Sequence, residues 1–222
     1  MKTAIVTGAS KGVGYATVKL LSENGYRVIA VSRDLSKVSG LVSDNVEVYK
    51  MNITNEVEIK NFYEKYSDIT LDLLVNNAGG GSTPRHIINE TMENFRIAYD
   101  MNVSGPMYLS QLFVPSMQKS DSATIIFITS LCGKIPYRGG GNYSNAKRGQ
   151  MALIDTMRME FPSYGIKVTE ICPGSIDTQI EKKDNALTAE DLAESIRWIG
   201  SLPKHCNINH LELSHIYNNK FN

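Results

Sequence analysis

Residues 3–14 read TAIVTGASKGVG: a short run rich in β-branched residues, then glycines at positions 8, 12 and 14, then the start of a helix-like stretch. A strand that ends on a glycine-rich turn and feeds a helix has a specific physical use. Without side chains, the backbone N–H groups and the helix N-terminus can approach an anion closely. Gly8, Gly12 and Gly14 therefore mark the expected seat of a pyrophosphate, with Ser10, Lys11 and Val13 of the same turn as further expected contacts of the ligand. The spacing is not that of a nucleotide-triphosphate loop, because Lys11 precedes Gly12 instead of following the last glycine.

Working outward, short apolar runs alternate with longer amphipathic ones. TAIV is followed by a helix from Val13 to Glu23, RVIAV, a helix around Leu35 to Val42, and VEVY. Next come a helix from Val57 to Tyr66, LDLLV, one long helical region from Met92 to Met117, and TIIFIT. The chain closes with a helix holding Tyr143 and Lys147, IKVTEI, a helix from about Ala189 to Gly200, and INHLEL. Such alternation implies parallel strands joined by right-handed crossovers. The expected fold is a doubly wound, mostly parallel α/β sheet of seven strands with helices on both faces, a Rossmann-like single domain over residues 1–222.

In these sheets ligands bind beyond the carboxyl ends of the strands. Polar or glycine-rich segments follow six of them: TGASKGVG, Ser32-Arg33, Asn52-Ile53, NNAGGG, Ser130 and PGSIDT. The end of the second strand discriminates between dinucleotides. A cofactor without a 2′-phosphate usually meets a carboxylate there, holding the ribose hydroxyls. Here Ser32 and Arg33 stand at that point, and Arg33 and Lys11 can both reach a phosphate. The expected cofactor is NADP(H), with NAD(H) less favoured.

Several motifs now stand in order: T-G-x-x-x-G-x-G from Thr7 to Gly14, N-N-A-G from Asn76 to Gly79, Asn102, Ser130, Tyr143-x-x-x-Lys147, and Pro173-Gly174. Together they resemble the short-chain dehydrogenase/reductase family across nearly the whole chain, including the thirteen positions from Ser130 to Tyr143. The resemblance implies hydride transfer between nicotinamide and a carbonyl or secondary alcohol, with Asn102, Ser130, Tyr143 and Lys147 as the catalytic set. Tyr143 would exchange the proton at oxygen, Ser130 would hydrogen-bond that oxygen, and Asn102 would hold a water in a proton relay. Lys147 would bind the nicotinamide ribose as well.

The chemistry explains those residue types. A free phenol, with a pKa of about 10, is a poor acid or base at neutral pH. An ammonium one helical turn away favours phenolate, and a shift of about three units corresponds to roughly 4 kcal/mol. The resemblance also places Asn77, Ala78 and Gly79 along the adenosine ribose and Ile176 and Thr178 at the nicotinamide carboxamide, with Pro173 and Gly174 as further cofactor contacts. Asn52 departs from the acidic residue many relatives carry, yet its amide oxygen can still accept from adenine. Only SIDTQIEKKDNAL separates Gly174 from the last helix, shorter than the helical lid of many relatives. An open pocket and a small polar or carrier-presented substrate are expected. The tail resembles the subgroup that includes hydroxy acid and serine dehydrogenases.

Composition excludes other classes. The chain has 222 residues, 42% hydrophobic and 21% charged, with a formal net charge of +0. With no long basic block, nucleic-acid or membrane-surface binding lacks an electrostatic driver. Three scattered cysteines without metal spacing fit a reducing compartment, and no catalytic metal is expected. The early glycine in MKTAIVTGAS does not suit a signal peptide, and the cytosol is the expected location. On a helical projection Ala146, Leu153, Ile154, Met157 and Phe161 share a core-facing arc with Tyr143, and Lys147 lies at its edge. Ala152 and Met159 fall on the opposite side, where they suit helix packing in a homodimer or homotetramer. An alternative function is an NADP-binding regulatory or scaffold protein of the same fold with little turnover.

Overall fold

A computed structural model describes residues 1–81, 85–177 and 185–217 of the chain. Seven strands form one sheet: β1 (Thr3–Thr7), β2 (Arg27–Ser32), β3 (Val46–Lys50), β4 (Leu73–Asn76), β5 (Thr124–Ile128), β6 (Lys167–Pro173) and β7 (His210–Leu213). All pair in parallel, in the order β3-β2-β1-β4-β5-β6-β7. The helices are α1 (Gly12–Glu23), α2 (Glu56–Tyr66), α3 (Met92–Tyr99), α4 (Gly105–Leu112), α5 (Val114–Gln118), α6 (Gly141–Glu160) and α7 (Ala189–Ser201). This is the doubly wound fold expected from the alternation of strand and helix.

The unbroken apolar runs of the central strands follow from burial on both faces. Ala4, Val6, Val28, Ala30 and Ile126 pack with residues of α1 and α7, including Leu21, Leu192 and Ile196. Their neighbours in the strands, Ile5, Ile29, Ile125 and Phe127, pack on the other face with Phe62 of α2, Leu109 of α4 and Ile154 of α6. Helix starts are set by polar caps. Asn55 accepts from the N–H groups of Val57 and Glu58, and Thr188 forms a reciprocal capping box with Asp191. Each such cap contributes about 1 kcal/mol.

Two expected elements differ. Residues 35–42 do not form an α-helix; two short 3₁₀ turns, Leu35–Lys37 and Ser39–Leu41, take their place. Asp34 caps the first turn by accepting from Ser36 N, and the stretch is too short and too serine-rich to nucleate a longer helix. The region from Met92 to Met117 is also not one helix. A π-helical turn at Asp100–Ser104 separates α3 from α4, and a break at Phe113, just before Pro115, separates α4 from α5. The π turn brings Gly105 so close to Ile53 that a Cβ there would lie 2.0 Å from the Ile53 carbonyl oxygen.

Strand order reverses direction between β1 and β4, whose chains run outward to opposite edges. The loops after these strands part at that point, and a crevice opens beyond their carboxyl ends.

Candidate active site

The glycine turn forms the floor of the crevice. Gly8 and Gly12 hold φ of +69° and +53°, a region that disfavours any residue with a Cβ. A Cβ on Gly8 would sit 2.9 Å from Ala78 Cα, and one on Gly14 would sit 2.3 Å from the Gly8 carbonyl oxygen. Gly14 thus lines neither cleft described below; it lets α1 start tightly against the turn. Lys11, the residue before α1, supplies no side-chain cap, and the first turn carries no carboxylate. The first N–H groups of α1 therefore meet no competing side chain, which suits a pyrophosphate.

Thr7 ties this turn to the end of β4. Its hydroxyl donates to the Val75 carbonyl at 3.2 Å and accepts from Asn77 N at 3.1 Å and Ala78 N at 3.0 Å. Asn77 answers by donating its side-chain amide to the carbonyls of Thr7 and Gly8, at 2.9 and 3.2 Å. Two neighbouring loops are thereby locked in one conformation.

Two adjoining clefts result, sharing Lys11 and Gly79. The first, of about 250 Å³, is lined by Gly8, Ser10, Lys11, Ser32, Arg33, Asn52, Ile53, Ala78 and Gly79 among the expected residues. Lys37 and Met101, not expected from sequence, also line it. Three cations therefore face one carboxylate, Asp34. That carboxylate already accepts from Ser36 N and Oγ and lies 3.7 Å from Lys37 Nζ; the Ser36 bonds, followed by Lys37, hold it below the usual carboxylate range. The Asn52 amide oxygen accepts from Thr54 N at 3.2 Å, leaving its second lone pair for a ligand.

The second cleft, of about 370 Å³, is lined by Lys11, Gly12, Val13, Asn77, Gly79, Ser130, Tyr143, Lys147, Pro173, Gly174 and Ile176. Ser130 stands just past β5, where its hydroxyl accepts from Cys132 N at 3.2 Å. Tyr143 and Lys147 come from the first two turns of α6. Thr178 lies outside the described residues, as does most of the segment expected to form a shortened lid. Ile176 pairs with Leu187 at the rim.

Asn102 sits in the π turn and is fully buried. Its amide nitrogen donates to the carbonyls of Ala98 and Gly80, both at 2.7 Å, and its oxygen accepts from Gly80 N at 3.3 Å. The Ala98 carbonyl is the one that a regular helix would pair with the Asn102 N–H. A Cβ on Gly79 would lie 2.8 Å from Asn102 Oδ1 and 3.2 Å from Lys147 Nζ, so only glycine allows the two to converge there.

Lys147 is only 3% exposed and donates to the Ile128 carbonyl at 2.7 Å and to Gln150 Oε1 at 3.0 Å. The helical projection put it at the edge of the buried arc; the sheet end covers that edge. Burial pulls its pKa down to about 7, against smaller upward pulls from Cys172, Glu170 and Cys132. Burial likewise pushes Tyr143 up to about 12, and its hydrogen bond with Ser130 opposes this only in part. Desolvation is the largest cause at both groups.

The glycines ahead of α6 are packing features. Gly139 has φ +86° and its carbonyl accepts from Arg85 N at 2.9 Å. A Cβ on Gly140 would come 2.4 Å from the Tyr137 ring. The segment is clamped between Arg85 and Tyr137.

Comparison with known proteins bears on the family and the fold. The family model described as short chain dehydrogenase matches residues 2–188. An uncharacterized oxidoreductase of Staphylococcus aureus (strain N315) is 30% identical, covering 95% of both chains. Among solved structures, the closed form of a serine dehydrogenase complexed with NADP+ superposes with a TM-score of 0.90 at 26% identity, covering 99% of this chain and 97% of that one. Serine dehydrogenase from Escherichia coli superposes with a TM-score of 0.87 at 27% identity, over 98% of this chain and 99% of the other.

Proposed function

Because this chain belongs to the short-chain dehydrogenase family, we propose that it is an NADP-dependent oxidoreductase acting on a carbonyl or secondary alcohol. The observation that carries this reading is the second cleft: Ser130, Tyr143 and Lys147 line one space that continues into the glycine turn. The bound nicotinamide supplies or accepts the hydride at carbon. Gly8, Gly12 and the open N-terminus of α1 would hold the pyrophosphate, and Arg33, Lys11 and Lys37 would supply the charge for a 2′-phosphate. Asn52, Ile53, Ala78 and Gly79 flank the adenosine, and Pro173, Gly174 and Ile176 bound the nicotinamide end.

Ser130 Oγ donates to the substrate oxygen and stabilises charge growing there. Tyr143 delivers its proton to the same oxygen. A phenol held at about 12 is suited to that direction, because an alkoxide is still the stronger base. Lys147 then faces the phenolate left behind and stabilises it. In alcohol oxidation the same groups act in reverse, and Tyr143 must first lose its proton.

Both the NADP-bound structural neighbour and the three cations of the first cleft support NADP over NAD. The serine dehydrogenase likeness favours a small hydroxy acid or related polar alcohol as substrate. The reading includes a homodimer or homotetramer in the cytosol, supported by exposed Met92, Tyr99 and Met159 on the packed pair α3 and α6. Its test is Tyr143→Phe assayed over ketones, aldehydes, 3-oxoacyl thioesters and hydroxy acids. NADPH-linked turnover should fall by about 10²-fold or more with NADPH binding nearly intact. Full turnover in that variant would sink the mechanism.

A further inference from the structure

Gln150 lies one turn beyond Lys147 on α6 and is 0% exposed. Its Oε1 is 3.0 Å from Lys147 Nζ, while its Nε2 is buried with no hydrogen-bond partner among the described residues. The reverse orientation of the amide would aim Nε2 at the ammonium, so the oxygen is the atom that belongs there. A buried amide with an orphaned N–H₂ costs stability that leucine or methionine would not. Packing therefore does not account for glutamine at this place; its one satisfied contact does.

We propose that Gln150 is the positioning residue of Lys147: its amide oxygen, with the Ile128 carbonyl, anchors the ammonium in the cleft wall beside Tyr143 and sets how firmly that charge is kept. An ammonium has three donors. Ile128 and Gln150 engage two on the inner side, which leaves the third to point into the cleft toward a ligand. The groups facing Lys147 from its surroundings are Tyr143 on its own helix, Cys132 after β5, and Cys172 and Glu170 on β6. Glu170 is already taken by Thr129 Oγ1 at 2.7 Å and His210 Nδ1 at 3.0 Å, so Gln150 is the side chain that bonds the ammonium directly.

This proposal rests on the role given to Lys147 above, and its test separates the two. The full chain labelled with ¹³C-lysine is titrated by NMR, with the Lys147 Cε signal assigned by its loss in Lys147→Met. Gln150→Leu should lower the titration midpoint by about one pH unit, and Gln150→Glu should raise it by about one to two. A purely structural role would not reverse sign between the two. The pH limb of kcat/KM for NADPH-linked reduction should move in the same directions. Should Gln150→Leu fail to fold, Gln150→Met replaces it in the comparison. Midpoints unchanged in the apolar and the glutamate variants overturn the proposal even where turnover is present. Shifted midpoints in a protein that reduces no carbonyl would uphold the anchoring and overturn the catalytic reading instead.

Discussion

Lys147 Nζ lies 5.9 Å from the centre of the Tyr143 ring, one turn along the same helix, and burial shifts the pKa of each group toward its neutral form. Desolvation stabilises the neutral form of each. A bound anion or a developing charge in the cleft can shift both.

The first consequence is a pH dependence of stability. The folded-state pKa of Lys147, about 7, lies below its unfolded value near 10.4. Between those values the unfolded chain binds more protons, so stability rises with pH at up to about 1.4 kcal/mol per unit from this group. Tyr143 acts oppositely above about pH 10, where the unfolded phenol ionises first. Denaturant titrations at a series of pH values should show the stability of the protein relative to Lys147→Met rising from pH 7 to 10 and constant below 6.

Cofactor choice should depend on Arg33. Arg33→Ala removes one of three cations lining the first cleft, and a lost charge-assisted contact to phosphate corresponds to about a tenfold or greater rise in the Kd of NADPH. NADH, lacking that phosphate, should bind within about twofold of its original affinity. Fluorescence titration of both cofactors measures the ratio, and equal losses would argue against a phosphate contact.

Thr7→Val keeps the shape of the side chain but removes the acceptor shared by Asn77 N and Ala78 N. Ala78 N–H loses its acceptor while Asn77 N–H keeps the Val75 carbonyl at 3.0 Å, at a cost of about 1–3 kcal/mol. Urea unfolding should show that loss. NADPH affinity should fall too, since the glycine turn and the NNAG loop are no longer locked together.

Residue patterns carried most of the fold and named most of the candidate residues that line the two clefts. The strands were legible because parallel strands buried on both faces must be apolar throughout, as TIIFIT is. Glycines 8, 12 and 14 were legible because a tight strand-to-helix turn with positive φ and close backbone approach tolerates little else. Residues 35–42 misled because an apolar spacing of helical period says nothing about whether a short segment nucleates. The helical region from Met92 to Met117 misled for a different reason. Its π turn depends on contact with Ile53 and Gly80, far away in the chain.

What the sequence determined by itself is the order of elements, the crossover topology and the set of polar groups delivered to one edge of the sheet. These follow from local periodicity and from the chirality of parallel crossovers, which a linear pattern encodes. Only the tertiary structure decided the desolvation of Tyr143 and Lys147, the bond of Lys147 to the Ile128 carbonyl, and the seating of Asn102 against Gly79 and Gly80. Each depends on how much water is excluded and which distant carbonyl comes within 3 Å, and neither is a property of neighbours in sequence.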